Sequence, residues 1–234
     1  MAVTRASVMS LARTYAQVPT TVIGDTNAYL LQDEIELAMY GEAARRAPSL
    51  FMTTQTISYP ANTSFIVPTI QPFRIVLLGT KADSGSRYTF FQPCGPLEFN
   101  ELESSNQHAN TGPPYKFHNN GTNLYLRPMP QQATDIFMYY TPACSIATTT
   151  TGNVFGGNVQ MQVWANLLAM RLAVRLRMIT GRDITSLATM VKPEDENWNQ
   201  QIQLLQDAEP AHVAKTESFL TGGGGATYLD EDNF

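Results

Sequence analysis

The sequence has little charge for its length, and this shortage excludes several classes of protein. Charged residues make up 15% of the 234 residues, against roughly 25% in an ordinary soluble domain. Hydrophobic residues still reach 43%, which is enough to build a core and excludes a disordered chain. The 15 Lys and Arg stand against 20 Asp and Glu, a formal net charge of −5. A net-acidic chain repels phosphates, so a generic duplex-DNA binder is also excluded.

Cysteine and long hydrophobic runs are scarce as well. Two cysteines, Cys94 and Cys144, are too few for a zinc framework or a disulfide-rich scaffold, although a single bridge between them stays open. No run approaches the roughly 18 apolar residues needed to span a bilayer. Residues 1–15 lack the apolar core of a signal peptide. We therefore expect no membrane segment and synthesis in a cytoplasm.

The residues that carry catalysis do not form a recognisable set. Thr80-Lys81-Ala82-Asp83 follows an apolar strand as in the guanine-reading TKxD string, but no GxxxxGK[ST] loop is present to hold phosphates. Glu101 and Glu103 lie in a loop-like block, there is no GxSxG elbow, and the histidines are scattered (His108, His118, His212). We expect no enzyme, no cofactor and no metal. A nucleotide-binding enzyme built around residues 80–83 is the remaining catalytic alternative.

Helical periodicity occurs at both ends of the chain. Apolar spacing predicts helices over residues 4–17, 25–46 and 159–179, the last as the longest uninterrupted pattern. A further helix is expected from Asp183 to Leu205, with Pro193 tolerated only as a break or a new first turn. Helices at both ends therefore enclose the middle of the chain.

The middle of the chain has the period of strands. Seven β-branched or aromatic runs are separated by proline and polar turns, and Asn119-Asn120-Gly121 is a strong hairpin signal. The sequence predicts an α+β fold. Residues 1–48 and 153–220 would form a helical bundle, with an antiparallel, sandwich- or barrel-like β domain inserted at 51–147.

Two charged groups are candidates for a subunit interface. Arg171 and Arg175 lie one turn apart on an otherwise apolar helix, and Asp33, Glu34 and Glu36 cluster on another. A solvated face is the simpler interpretation. Alternatively, the arginines meet these carboxylates within the bundle or across a subunit contact, where their planar fork favours paired hydrogen bonds. Arg171, Arg175, Asp33 and Glu36 are the predicted interface residues.

The C-terminal residues 221–234 are typical of a tethered docking segment. Four consecutive glycines, Gly222, Gly223, Gly224 and Gly225, favour a flexible hinge. The acidic end that follows carries Tyr228, Leu229 and Phe234, which are unusual in a purely solvated tail and could anchor it in a partner's groove. A disordered acidic end is the alternative.

The order of these elements resembles the head-to-tail adaptor (connector) proteins of tailed bacteriophages over about residues 1–220. Two helices end at Ala47-Pro48. A strand over residues 56–59 follows, and a second strand ends at Val67-Pro68. A hairpin leads into Leu124-Tyr125-Leu126-Arg127-Pro128-Met129-Pro130. Phe137-Met138-Tyr139-Tyr140-Thr141-Pro142 and a long helix pair complete the order.

The resemblance implies a virion structural protein in the neck between capsid and tail. Subunits would form a ring, of twelve copies to match the portal, docked on the portal protein and contacting a tail nozzle or tail-tube protein. DNA would pass through the central channel without sequence-specific binding. Another virion structural protein, such as a tail-tube, nozzle or capsid-associated subunit, remains the main alternative.

Overall fold

The computed structural model of the chain describes residues 3–70, 72–81, 88–104, 111–208 and 228–229. The fold is α+β, as predicted, and divides into two compact units. The helical unit consists of Met1–Leu50 and Cys144–Ala208, and the β unit of Phe51–Ala143 with the C-terminal segment. His108, His212, Asp83, Gly222 to Gly225 and Phe234 lie outside the described residues.

The helices have the following bounds: α1 Arg5–Ala16, α2 Asp25–Arg46, α3 Pro96–Ser104, α4 Val159–Gln162, α5 Ala165–Ile179 and α6 Thr185–Asp207. The strands are β1 Thr53–Tyr59, β2 Phe65–Ile66, β3 Pro72–Lys81, β4 Tyr88–Phe90, β5 Gln92–Pro93, β6 Lys116–Asn119, β7 Leu124–Arg127, β8 Thr134–Pro142 and β9 Tyr228–Leu229. Helix α3 belongs to the β unit and the other helices to the helical unit.

Helix α5 is the centre of the helical unit. Its small and apolar residues, among them Leu168, Ala169, Leu172 and Ala173, are fully buried, and it packs against α1, α2 and α6. Thr4 caps α1 by accepting a hydrogen bond from the Ser7 amide. The small residues let neighbouring backbones approach α5 closely, which explains how one 15-residue helix contacts three others.

Two helix predictions were wrong in detail. The pattern over 159–179 is not one helix, because the chain kinks at Val163 and Trp164 between α4 and α5. Trp164 packs edge-on against the buried Trp198 of α6, with ring centroids 5.0 Å apart. Pro193, expected to break its helix, lies inside the continuous α6. Its position there is solvent-exposed.

The β unit consists of two sheets that share one apolar core. The strand orders are β1-β8-β3-β4-β9 and β2-β7-β6-β5, antiparallel except for the β5–β6 pair. Alternate residues of β8 (Ile136, Met138 and Tyr140) point into the core, as period-two burial requires. They meet Phe117, Leu124 and Leu126 from the second sheet. The predicted turn at Asn119-Asn120-Gly121 joins β6 to β7, with Gly121 at a φ of 91°.

Candidate functional site

The predicted interface residues lie on α2 and α5, but the structure gives them different partners. Arg171 on α5 forms an ion pair of 2.9 Å with Asp195 on α6. Within the chain, therefore, Arg171 does not meet the carboxylates of α2 as one interpretation expected. Asp195 was not selected from the sequence, because no short-range spacing connects residues on consecutive helices.

Asp33 is held inside the helical unit by Arg5. The Arg5 guanidinium bonds the Asp33 carboxylate and also donates to the carbonyls of Tyr29, at 3.2 Å, and Ala147, at 2.9 Å. Arg5 is buried, and its guanidinium lies over the Tyr29 ring. These contacts join α1, α2 and the segment before α4. Asp33 thus stabilises its own subunit instead of standing free at a surface.

Glu36 is a correction to the prediction, because its side chain is 1% exposed and cannot face a neighbouring subunit. Its carboxylate accepts a hydrogen bond from the backbone amide of Phe155. Phe155 and the two glycines after it have positive φ angles of 54°, 60° and 81°. Burial raises the pKa of Glu36 to about 7; the Phe155 amide and Arg5 lower it, and Asp33 raises it.

Arg175 remains as a surface residue at a groove between α2, α5 and α6. The groove encloses a cavity of about 340 Å³. Its apolar wall is formed by Ile35, Ala38, Val174, Met178 and Val191, and its charged lining by Glu34, Arg171, Arg175 and Asp195. Glu34, the third acidic residue of the predicted cluster, therefore shares this groove with both arginines.

A second apolar depression lies on the same two helices, α2 and α5. It has a volume of about 450 Å³ and is lined by Val22, Ile23, Gly24, Asn27, Leu30, Leu31 and Ile179. Leu30 and Ile179 are 62% and 60% exposed. Leu30 precedes Glu34 by one helical turn, and Ile179 follows Met178, so the two depressions are successive along α2 and α5. We call the surface formed by both depressions the α2–α5 strip.

The exposed apolar side chains of the α2–α5 strip are neighbours and not scattered single residues. Scattered apolar side chains are normal on a surface, but neighbouring ones mark places where a partner binds. Leu30 lies outside the buried face of α2, which is formed by Ala28, Gln32, Ile35, Glu36 and Met39. Chemically, the strip can bind an apolar surface and offer Arg175 to a carboxylate.

Of the string at residues 80–83, the structure describes Thr80 and Lys81. Thr80 and Lys81 end β3 and line an open polar cavity of about 650 Å³ with Asp135. His118 stacks on Phe99, and its Nδ1 lies 3.0 Å from the Cys94 carbonyl oxygen. No cluster of potential metal ligands, and no helix long and apolar enough for a bilayer, occurs within the described ranges.

Both cysteines are free thiols, so the open question of a bridge is answered in the structure. Burial raises the pKa of Cys94 to about 11 and that of Cys144 to about 12. A thiol with so high a pKa holds almost no thiolate at neutral pH and is a poor nucleophile. Both side chains therefore act as packing residues.

The C-terminal segment differs from the expected free tail at Tyr228 and Leu229. These two residues form β9 and pair antiparallel with β4, with Tyr88 opposite Leu229 and Thr89 opposite Tyr228. Sequence reasoning assigned them as side-chain anchors for a partner and did not foresee pairing within the chain. A two-residue strand after a glycine run carries no periodic signal that would have indicated it.

No protein-family model matches this sequence, and no curated protein matches it either.

Proposed function

We propose that the protein is a head-to-tail adaptor subunit of a tailed-phage virion. It assembles as a ring on the portal protein, links the portal to the tail, and lines the channel through which DNA passes. The observation that carries the proposal is the α2–α5 strip, an apolar surface on a unit whose own core is already complete. The order of sequence elements described above supplies the class of assembly.

The low and negative charge supports a position around DNA. Twelve subunits of formal charge −5 carry about −60 charges in total. A wall of the same sign as DNA lets the genome pass without binding it, because no counterions are released by contact. The uncharged polar surface also suits a subunit whose faces are covered by neighbours.

The contacts of the arginines decide how the interface is tested. Reversing Arg171 would break its pair with Asp195 and disturb α5 and α6 within the subunit. Reversing Arg175, which is exposed at the strip, changes only the surface. Lys192→Glu is the matched control, because Lys192 is 78% exposed, does not line the groove, and makes only a long contact of 3.9 Å to Glu196.

The experiment is a native mass measurement of the chain alone and mixed with the portal protein of the same phage. We expect a monomer or weak oligomer alone and a ring of defined copy number on the portal. Arg175→Glu should weaken ring formation at least tenfold, equivalent to about 1.4 kcal/mol, and Lys192→Glu should not. A chain that never associates with portal but co-purifies with tail tube or nozzle would support the other virion proteins instead.

A further inference from the structure

Strand β4 has an outer edge that can accept another strand. Its inner edge pairs with β3, with Thr80 opposite Thr89. The amide of Phe91 donates to the carbonyl of Leu78 at 2.7 Å. Because hydrogen-bonded and non-hydrogen-bonded pairs alternate along an antiparallel ladder, Thr89 also bonds towards β3. The backbone groups of Tyr88 and Phe90 therefore point to the outer edge.

The occupant of this edge is β9. Tyr88 lies opposite Leu229, so this is the pair that exchanges both N–H···O bonds. Thr89 and Tyr228 lie opposite one another as a non-hydrogen-bonded pair, the type in which the Cα atoms approach most closely. The register of the two strands therefore defines which backbone groups of β4 and β9 meet.

The segment between the helical unit and β9 is much longer in sequence than β9 itself. The helical unit ends at Ala208, so 19 residues, 209–227, precede Tyr228. At full extension they reach at most about 65 Å. Pairing of β9 with β4 of the same chain is intramolecular, with an effective concentration on the order of millimolar. A second copy competes for β4 when its own concentration approaches that value.

We propose that Tyr228–Leu229 is an exchangeable strand, which pairs with β4 of a second copy of this chain when copies stand side by side. Every copy carries one such strand and one acceptor edge, so an exchange between copies loses no backbone hydrogen bond. The two pairings are identical in register, and concentration decides between them. This inference needs only copies of this chain and does not depend on binding to a portal.

Disulfide trapping tests the exchange at the Thr89–Tyr228 pair. Cysteines at directly opposite, non-hydrogen-bonded positions lie about 4.5 Å apart at Cα, within the span of a disulfide. Thr89→Cys and Tyr228→Cys are made as separate single variants, mixed, oxidised and run on a non-reducing gel. Leu229→Cys replaces Tyr228→Cys as the control, because successive positions of a strand alternate between the two faces of a sheet. The native cysteines can stay, because burial raises the pKa of both thiols.

We expect a disulfide-linked dimer in the mixture of Thr89→Cys and Tyr228→Cys. Its yield should rise as total protein increases from about 0.01 to about 1 mM and exceed the control mixture at least tenfold. The double variant Thr89→Cys with Tyr228→Cys should close within one chain at the lowest concentration. A mixture that stays monomeric at every concentration overturns the exchange, and a double variant that forms no bond overturns the strand site itself. A chain that exchanges strands but ignores portal contradicts the proposed function alone.

Discussion

A buried carboxylate is the most unusual single residue of the helical unit. Glu36 lies on α2, and its neighbours on other elements are Arg5, Cys144 and the Phe155 amide. Asp33 adds a second negative charge nearby. Desolvation dominates these effects and raises the pKa of Glu36 from 4.5 to about 7. Below pH 4.5 the group is protonated in the folded and unfolded chains alike. Between that pH and 7 only the folded chain keeps the proton, so stability falls as pH rises.

We expect Glu36→Gln to remove this pH dependence, because glutamine keeps an acceptor for the Phe155 amide but carries no charge. The difference in unfolding free energy between the variant and the native chain should grow by about 2 kcal/mol, in favour of the variant, from pH 5 to pH 8. Chemical denaturation at three pH values measures it, and other titrating groups cancel in the difference. Glu36→Ala is the control, since it removes the charge as well but leaves the amide without a partner. It should be less stable than Glu36→Gln by about 1–3 kcal/mol at every pH. Parallel pH curves for Glu36→Gln and the native chain would contradict the assignment.

A glycine decides how closely β4 can approach β3. A Cβ atom added at Gly79 would lie 2.5 Å from the Thr89 carbonyl oxygen and 3.1 Å from the Phe90 Cα. Both neighbours are backbone atoms and cannot move without shifting the strand. We expect Gly79→Ala to lower the free energy of unfolding by about 1–3 kcal/mol. Gly95→Ala is the control, because no atom lies within 4 Å of its Cβ position, and equal losses in both variants would contradict the steric explanation.

The outcome for Glu36 shows what charge patterns in a sequence can and cannot predict. The cluster of Asp33, Glu34 and Glu36 was correctly placed on one helix, but its members have three environments: an internal ion pair, an exposed groove and a buried pocket. The spacing of Gln32, Glu36, Met39 and Ala43, all buried, follows one helical face. That spacing was the available signal. It was outweighed by the expectation that carboxylates stay in water.

At the scale of elements, the period of the hydrophobic residues predicted well whether a segment is a helix or a strand. It predicted poorly where a helix is interrupted. Helix α1 begins at Arg5, one residue after its predicted start, and α2 has its predicted bounds of 25 and 46. The break at Trp164 and the continuity of α6 through Pro193 were both missed. Tertiary packing decides each case: Trp164 meets Trp198, and α6 is anchored by buried Val191, Trp198 and Ile202. A one-dimensional pattern does not contain these contacts.

Helix α6 should become more stable when its internal proline is replaced. Proline removes one amide donor and crowds the carbonyl four residues earlier, a cost of up to about 3 kcal/mol relative to alanine inside a helix. Pro193 is exposed, so no core packing is lost by Pro193→Ala. We expect a gain of about 1–3 kcal/mol, measured by thermal or chemical unfolding. Asn197→Ala, an exposed change on the same helix, should change the free energy of unfolding by only a few tenths of a kcal/mol. An unchanged or lower melting temperature for Pro193→Ala would contradict the cost assigned to the internal proline.

At the scale of the whole molecule, the sequence predicted the fold class and left the assembly as a hypothesis. The two described units have complete apolar cores of their own. What neither core explains is the apolar surface that stays exposed on α2 and α5. Which residues of a helix are exposed depends on which face its neighbours cover. The apolar residues of α2 are distributed too evenly for the sequence to indicate that face. The strip is therefore the part of the molecule where structure adds most to function.

The strip itself provides the last prediction. Leu30 and Ile179 are more than half exposed, so replacing both by Asp should change the stability of the free subunit by no more than about 0.5 kcal/mol each. In a ring interface, each buried apolar side chain contributes roughly 1.5–3 kcal/mol, and a charge in its place must be desolvated. We therefore expect the double variant Leu30→Asp with Ile179→Asp to weaken ring formation on the portal at least a hundredfold while the melting temperature of the monomer stays nearly unchanged. Leu97→Asp is the matched control, because Leu97 is 81% exposed and belongs to the β unit. Native mass measurement and calorimetry decide the result: rings formed by the double variant as readily as by the control would show that the α2–α5 strip is not the subunit interface.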